Sequence, residues 1–244
     1  MLRLLPLIFL FFAATQAAHA ADPRLGKPVT LTTVFGTTFD AYVAGPEEAT
    51  QAVVLMHDRF GLNEQTLEWA DRFAKSGYRV LAPDMYDGQT SKSLDTANAI
   101  VGYVDPEWVK ADVKAAVSYL GTENRKVALI GFGVGASQSL LVATQHPGVA
   151  ATVMFDGEHV VIPKLLKSLN GPVLIIVASN NTRVASSQLE LERLMQQSQK
   201  EKSVVLHKVI ADYGFMDRNY GKADKEATET AWSKMEQFLQ EVLR

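Results

Sequence analysis

The stretch from Lys126 to Ser137, KVALIGFGVGAS, constrains the fold more than any other part of this 244-residue chain. An apolar, β-branched run leads into Gly131, Gly133 and Gly135 at every second position, and Ala136 to Gln145 then repeats apolar residues at helical spacing. A continuous apolar run of this length bounded by glycine reads as an interior strand of a parallel sheet, and the segment after the glycines as the helix covering it. In hydrolases such a corner is written G-x-S-x-G and lifts its central residue above the sheet edge. Here the five letters are Gly131, Phe132, Gly133, Val134 and Gly135. Glycine takes unusual backbone angles without steric cost, so the bend is kept while the attacking atom is missing.

The flanking chain repeats the strand and helix pattern. Val29 to Thr33 and Thr38 to Val43 predict an antiparallel start turning at Gly36, followed by buried strands at Ala52 to Met56 and Tyr78 to Ala82 around a helix at Leu67 to Lys75. Asp87 to Asp105 reads as a loop with one short helix, and Pro106 opens a helix whose apolar spacing runs from Val109 to Leu120. After the glycine corner come strands at Ala150 to Phe155, Val173 to Ala178 and Val204 to Ile210, with helices at Ile162 to Leu169, Ser187 to Ser198 and Lys225 to Leu243. Strand–helix–strand units with tight links give an α/β fold: eight strands, mostly parallel, with helices on both faces.

Met1 to Ala20 has a basic start at Arg3, an apolar core from Leu4 to Ala14, and Ala18-His19-Ala20 before Ala21. This is the three-part form of a secretory signal peptide cleaved near Ala20, leaving one domain over residues 21–244. Its core is half of the roughly 20 residues a membrane span needs, so no stable membrane insertion is expected. The destination is the periplasm or the exterior. Absence of cysteine excludes disulfides, which a chain of about 220 residues does not need. Removing the leader leaves 23 basic against 27 acidic residues, a mild negative balance that argues against a nucleic-acid partner.

Several segments resemble, in order, the dienelactone hydrolase family. Met56-His57-Asp58-Arg59-Phe60-Gly61-Leu62-Asn63 is similar to that family's H-E-x-F-G-L-N. Ala70-Asp71-Arg72-Phe73-Ala74 through Gly77-Tyr78-Arg79-Val80-Leu81-Ala82-Pro83-Asp84-Met85-Tyr86 looks like A-D-R-x-A…G-Y-x-x-L-A-P-D-L-Y. The Asp112 helix, the glycine corner and Gly171-Pro172-Val173-Leu174 also match, so the likeness spans about Gln51 to Gly221. It implies an α/β-hydrolase fold and a Cys-Asp-His triad that opens lactone or ester rings. The three triad positions fall on Gly133, Asn181 and Tyr213, none of which can play its part. Such a triad works as a unit, so the resemblance implies a framework retained and hydrolysis lost. The family's glutamate falls on Asp58, and the arginine after P-D-L-Y falls on Asp87 within one residue, which implies a lost counter-charge for anionic substrates.

The leading expectation is therefore an exported pseudo-hydrolase, without cofactor or metal, that binds a small ligand or a partner protein. His57, Asp58, Phe60, Tyr86, Gly133, Val134, Asn181 and Tyr213 are the candidate binding residues, with Phe132 read as core. One alternative is a secreted ester or lactone hydrolase using Ser137, Asp156 and His159 or His57. Another is a dinucleotide-binding protein through Gly131-x-Gly133-x-x-Ala136 with Asp156 on a ribose. Asp58, Asp84, Asp156 and Glu158 end strands on the ligand-binding edge, where caps for the following backbone are their ordinary use. No paired-ligand spacing such as H-x-x-x-H is present to suggest a metal site.

Overall fold

The computed structural model describes residues 24–158, 163–180, 190–191, 193–199 and 203–244. The leader, His159, Asn181 and residues 187–189 and 192 of the helix expected at Ser187 to Ser198 lie outside them.

The strands are β1 (Lys27–Thr32), β2 (Thr38–Ala44), β3 (Gln51–Met56), β4 (Arg79–Pro83), β5 (Lys126–Phe132), β6 (Val149–Phe155), β7 (Val173–Ala178) and β8 (Val204–Val209). They form one sheet in the order β1-β2-β4-β3-β5-β6-β7-β8. The β1–β2 and β2–β4 pairs are antiparallel and every other pair is parallel. That is the mostly parallel eight-stranded α/β sheet the sequence predicts.

Alternation along each central strand divides the core in two. In β3, Ala52, Val54 and Met56 face one layer, while Val53 and Leu55 face the other. The first layer contains α2 (Leu94–Tyr103), α3 (Pro106–Leu120), α4 (Val134–Ala143) and α5 (Pro163–Leu166), and the second contains α1 (Glu64–Lys75) and α6 (Lys225–Val242). Both faces of β3 and β5 are covered, which is why their sequences read as unbroken apolar runs rather than as alternation. Each fully buried Leu, Ile or Val there contributes on the order of 2 kcal/mol.

Side chains fix the helix starts. Asn63 accepts from the Thr66 amide at 3.1 Å, Asp105 from that of Glu107 at 2.8 Å ahead of Pro106, and Asp224 from that of Ala227 at 3.0 Å. The short helix expected between Asp87 and Asp105 is a ten-residue α2. Its spacing is weak because Ala97 and Ile100 are its buried residues.

Asp112 on α3 makes a stability prediction. Its half-buried carboxyl is pushed up to about 6, first by burial and then by the negative charge of Asp84. The folded state therefore holds this proton more tightly than the unfolded chain, and stability falls as pH rises from about 4 to 6. Asp112→Asn is expected to gain about 1 kcal/mol at pH 7, discounted for partial exposure, and nothing at pH 4. Urea titrations at the two pH values check this, and an equal gain at both would contradict it.

Candidate functional site

At the end of β5 the chain turns at Gly133, with φ 49° and ψ −110°, and α4 begins at the next residue. Positive φ with this ψ is strained for residues with a side chain, and glycine adopts it freely. Packing makes the corner tight. A Cβ on Gly131 would lie 2.4 Å from the Gly135 backbone, and one on Gly135 would lie 2.4 Å from the His57 carbonyl. Those two glycines let strand and helix meet backbone to backbone, which accounts for the G-x-G-x-G spacing without a nucleotide.

The space in front of Gly133 belongs to Asp58. A Cβ built on Gly133 would sit 2.2 Å from Asp58 Oδ1 and 2.6 Å from Oδ2. Asp58 Oδ1 accepts from the amide of Val134 at 3.0 Å and from that of Arg59 at 2.7 Å. In hydrolases of this corner type, the oxyanion is held by the amide after the nucleophile and by an amide from the loop after the third strand. Val134 and Arg59 hold those two positions, and one carboxylate oxygen fills both.

The other oxygen, Oδ2, accepts from the Tyr220 hydroxyl at 2.5 Å. Tyr220 meets the Tyr213 hydroxyl at 3.1 Å, and the Arg59 guanidinium donates to Tyr213 at 3.4 Å and to Asn98 at 2.6 Å. Arg59 Nε also lies 3.8 Å from Asp58 Oδ1. Burial, then the nearby Asp58, raises both phenols above the usual tyrosine range. Tyr213 therefore stays protonated near neutral pH and cannot act as a base. Together these side chains reduce the cleft over Gly133 to a cavity of about 20 Å³.

The sequence candidates separate into groups. Asp58, Gly133 and Tyr213 meet in the cleft, and Phe132 lines it while stacking on Phe155 at 4.8 Å. His57 does not face it: the ring is fully buried, Nδ1 meets the Asp58 carbonyl at 2.8 Å, and Nε2 accepts from the Met85 amide at 3.0 Å. Burial lowers its pKa and favours the neutral ring, whose two nitrogens are both engaged in bracing the backbone. Phe60 is also buried and packs edge-on behind Tyr220 at 4.9 Å. Tyr86 and Val134 line a separate cavity of about 80 Å³ beneath α2 and α3, where the Tyr86 hydroxyl and Gln138 Oε1 are buried without a hydrogen-bond partner among the described residues.

The alternative residues have structural duties. Ser137 Oγ donates to the Glu158 carbonyl, a turn beyond the corner. Asp156 accepts from the Ala178 amide at 2.8 Å, tying β6 to β7. Asp84 accepts from the amides of Tyr86 at 3.0 Å and Gly88 at 2.6 Å, the capping use expected of it. Two residues that build the cleft's hydrogen-bond network, Arg59 and Tyr220, gave no sign of it in the sequence. Arg59 brings a guanidinium beside the cleft, where it faces Tyr213 and the Asp58 carboxylate. Tyr220 lies in a short 3₁₀ turn, Arg218–Tyr220, whose spacing gives no signal.

A sequence profile of the dienelactone hydrolase family matches residues 39–243. A carboxymethylenebutenolidase homolog of Mus musculus is 29% identical, the alignment covering 82% of this chain and 86% of that one. The protein usf of Aquifex pyrophilus is 24% identical over 85% of this chain and 95% of its own length. Among solved structures, a dienelactone hydrolase from Anabaena variabilis superposes with a TM-score of 0.69 at 18% identity, covering 90% of this chain and 98% of that one. A dienelactone hydrolase-like promiscuous phosphotriesterase from metagenomic libraries gives 0.72 at 22% identity, covering 89% and 99%.

Proposed function

This chain belongs to the dienelactone hydrolase family, and from that premise we propose that it is an exported member that no longer hydrolyses at its corner and works instead as a binding or accessory protein. The observation that carries this reading is the Asp58 carboxylate. It takes up both amide donors and the side-chain space at Gly133, where an attacking atom and a developing oxyanion would have to be. Residues matched to the triad support it: Gly133 offers no nucleophile and Tyr213 no base, while Asn181 carries no charge. With the cleft filled by its own side chains, the reading favours contacts made elsewhere on the surface over a ligand at the corner.

Export rests on the Met1 to Ala20 leader. Among the described residues, no helix is long and apolar enough to cross a membrane. The mass of protein recovered outside the cytoplasm should correspond to a chain beginning at Ala21.

The activity test uses the purified mature chain with p-nitrophenyl esters and small lactones. Rates are expected to equal those of buffer. Turnover removed by Tyr213→Phe or Asp58→Asn would overturn the proposal, because it would show the corner at work.

A further inference from the structure

A larger concavity lies on another part of the molecule and shares no residue with the corner. It is a groove of about 860 Å³ between the tip of the β1–β2 hairpin and the outer side of α3. Val109, Val113, Ala116, Val117 and Leu120 turn one side of α3 into the core. Trp108, Ala111, Ala115 and Tyr119, spaced three to four residues apart, form a second apolar stripe lining the groove, with Ala111 buried and Ala115 packed against the edge of the core. The small side chains at 111 and 115 make the floor of a trough, and aromatic side chains stand around it. Trp108 is 72% exposed and Tyr119 46%, and across the groove Phe35 is 79% exposed. Exposed aromatic residues clustered around a concavity of this size have the character of a ligand site.

Charge narrows the class of occupant. Lys110 is neutralised by an ion pair with Glu107. Lys114, on the wall of the trough, has a neutral partner in Gln145 Oε1 at 3.1 Å, and among the described residues it meets no carboxylate. His146 lies close enough for Lys114 to add to the burial that lowers its pKa. The groove thus combines an apolar bed with one uncompensated cation, a pairing that suits a molecule with an apolar tail and one negative group. A salt link to an otherwise unpaired lysine in a partly desolvated groove orients such a molecule.

We propose that this groove binds a monomeric amphiphilic carboxylate, its unbranched tail lying over Ala111 and Ala115 between Phe35 and Trp108 and its head on Lys114. The proposal is independent of whether the corner hydrolyses anything.

The test titrates the mature protein with decanoate and, separately, with decanol, below their aggregation limits. Binding is read by calorimetry and by the fluorescence of Trp108, since Trp69 and Trp232 are buried. Decanoate is expected to bind saturably and about tenfold more tightly than decanol, the scale of one charge-assisted contact. Lys114→Gln should remove that preference while leaving decanol affinity unchanged, and Ala115→Trp should block both ligands by filling the trough. Equal affinity for the two ligands overturns the assigned head group. No saturable binding overturns the site. So does a concentration-dependent dimer broken by Phe35→Asp, or binding to phosphatidylglycerol vesicles without binding of free decanoate, because either shows that the face serves a different occupant.

Discussion

Gly133→Cys is expected to destabilise the protein by roughly 3 to 5 kcal/mol, and Asp58→Ala in the same chain should recover part of that loss. Two effects add in the single variant. A non-glycine residue at φ 49° carries backbone strain of about 1 to 3 kcal/mol, and the new Cβ meets a carboxylate oxygen 2.2 Å away, an overpacking of similar size. Removing the carboxylate relieves the second effect and leaves the first. Asp58→Ala alone is also unfavourable, since it leaves the Val134 amide and the Tyr220 hydroxyl without their acceptor. The two changes together should therefore cost at least about 1 kcal/mol less than the sum of the single variants. Urea unfolding of the four chains measures this coupling, and strict additivity would show that Asp58 does not occupy the nucleophile's space.

The second large effect is catalytic. Rebuilding Gly133→Cys, Asn181→Asp and Tyr213→His should give no useful esterase while Asp58 remains, because its Oδ1 continues to occupy the two amides that would hold an oxyanion. Adding Asp58→Ala frees both donors. Loss of a single donor of this kind costs about 10² to 10³ in rate, so the four-site variant should exceed the three-site variant by at least about 100-fold on p-nitrophenyl acetate. If the three-site variant is already as fast, the carboxylate is no obstacle and the reading of the plugged corner fails.

Most of the sheet was legible because its central strands are buried on both sides. AVVLM, KVALIGF and VLIIVA can hardly be anything else between glycine and proline punctuation. Helix α2 was less clear, because a helix lying over the sheet edge needs few apolar residues and shows little periodicity. At the site, the bare glycine at position 133 was visible in the letters alone. The group that filled the space in front of it was not. His57 and Asp58 are adjacent in sequence yet turn to opposite sides, one locked to the Met85 amide and the other reaching into the cleft. Tyr220 arrives from a loop 162 positions further on, and no local pattern records that contact. The same limit explains Phe60 and Tyr86: sequence placed both near the corner, and packing directed both rings away from the cleft.

The contact between Gly131 and Gly135 has an evolutionary corollary. Because strand and helix are braced by bare main chain on either side of position 133, the posture of that position is inherited from its neighbours rather than from any group mounted there. A lineage can strip such a socket of its reagent, seat a neighbouring acid in it, and still hand descendants the same mould. Placing new chemistry at position 133 would then take new side chains and the eviction of the acid, with no redrawing of the chain's path.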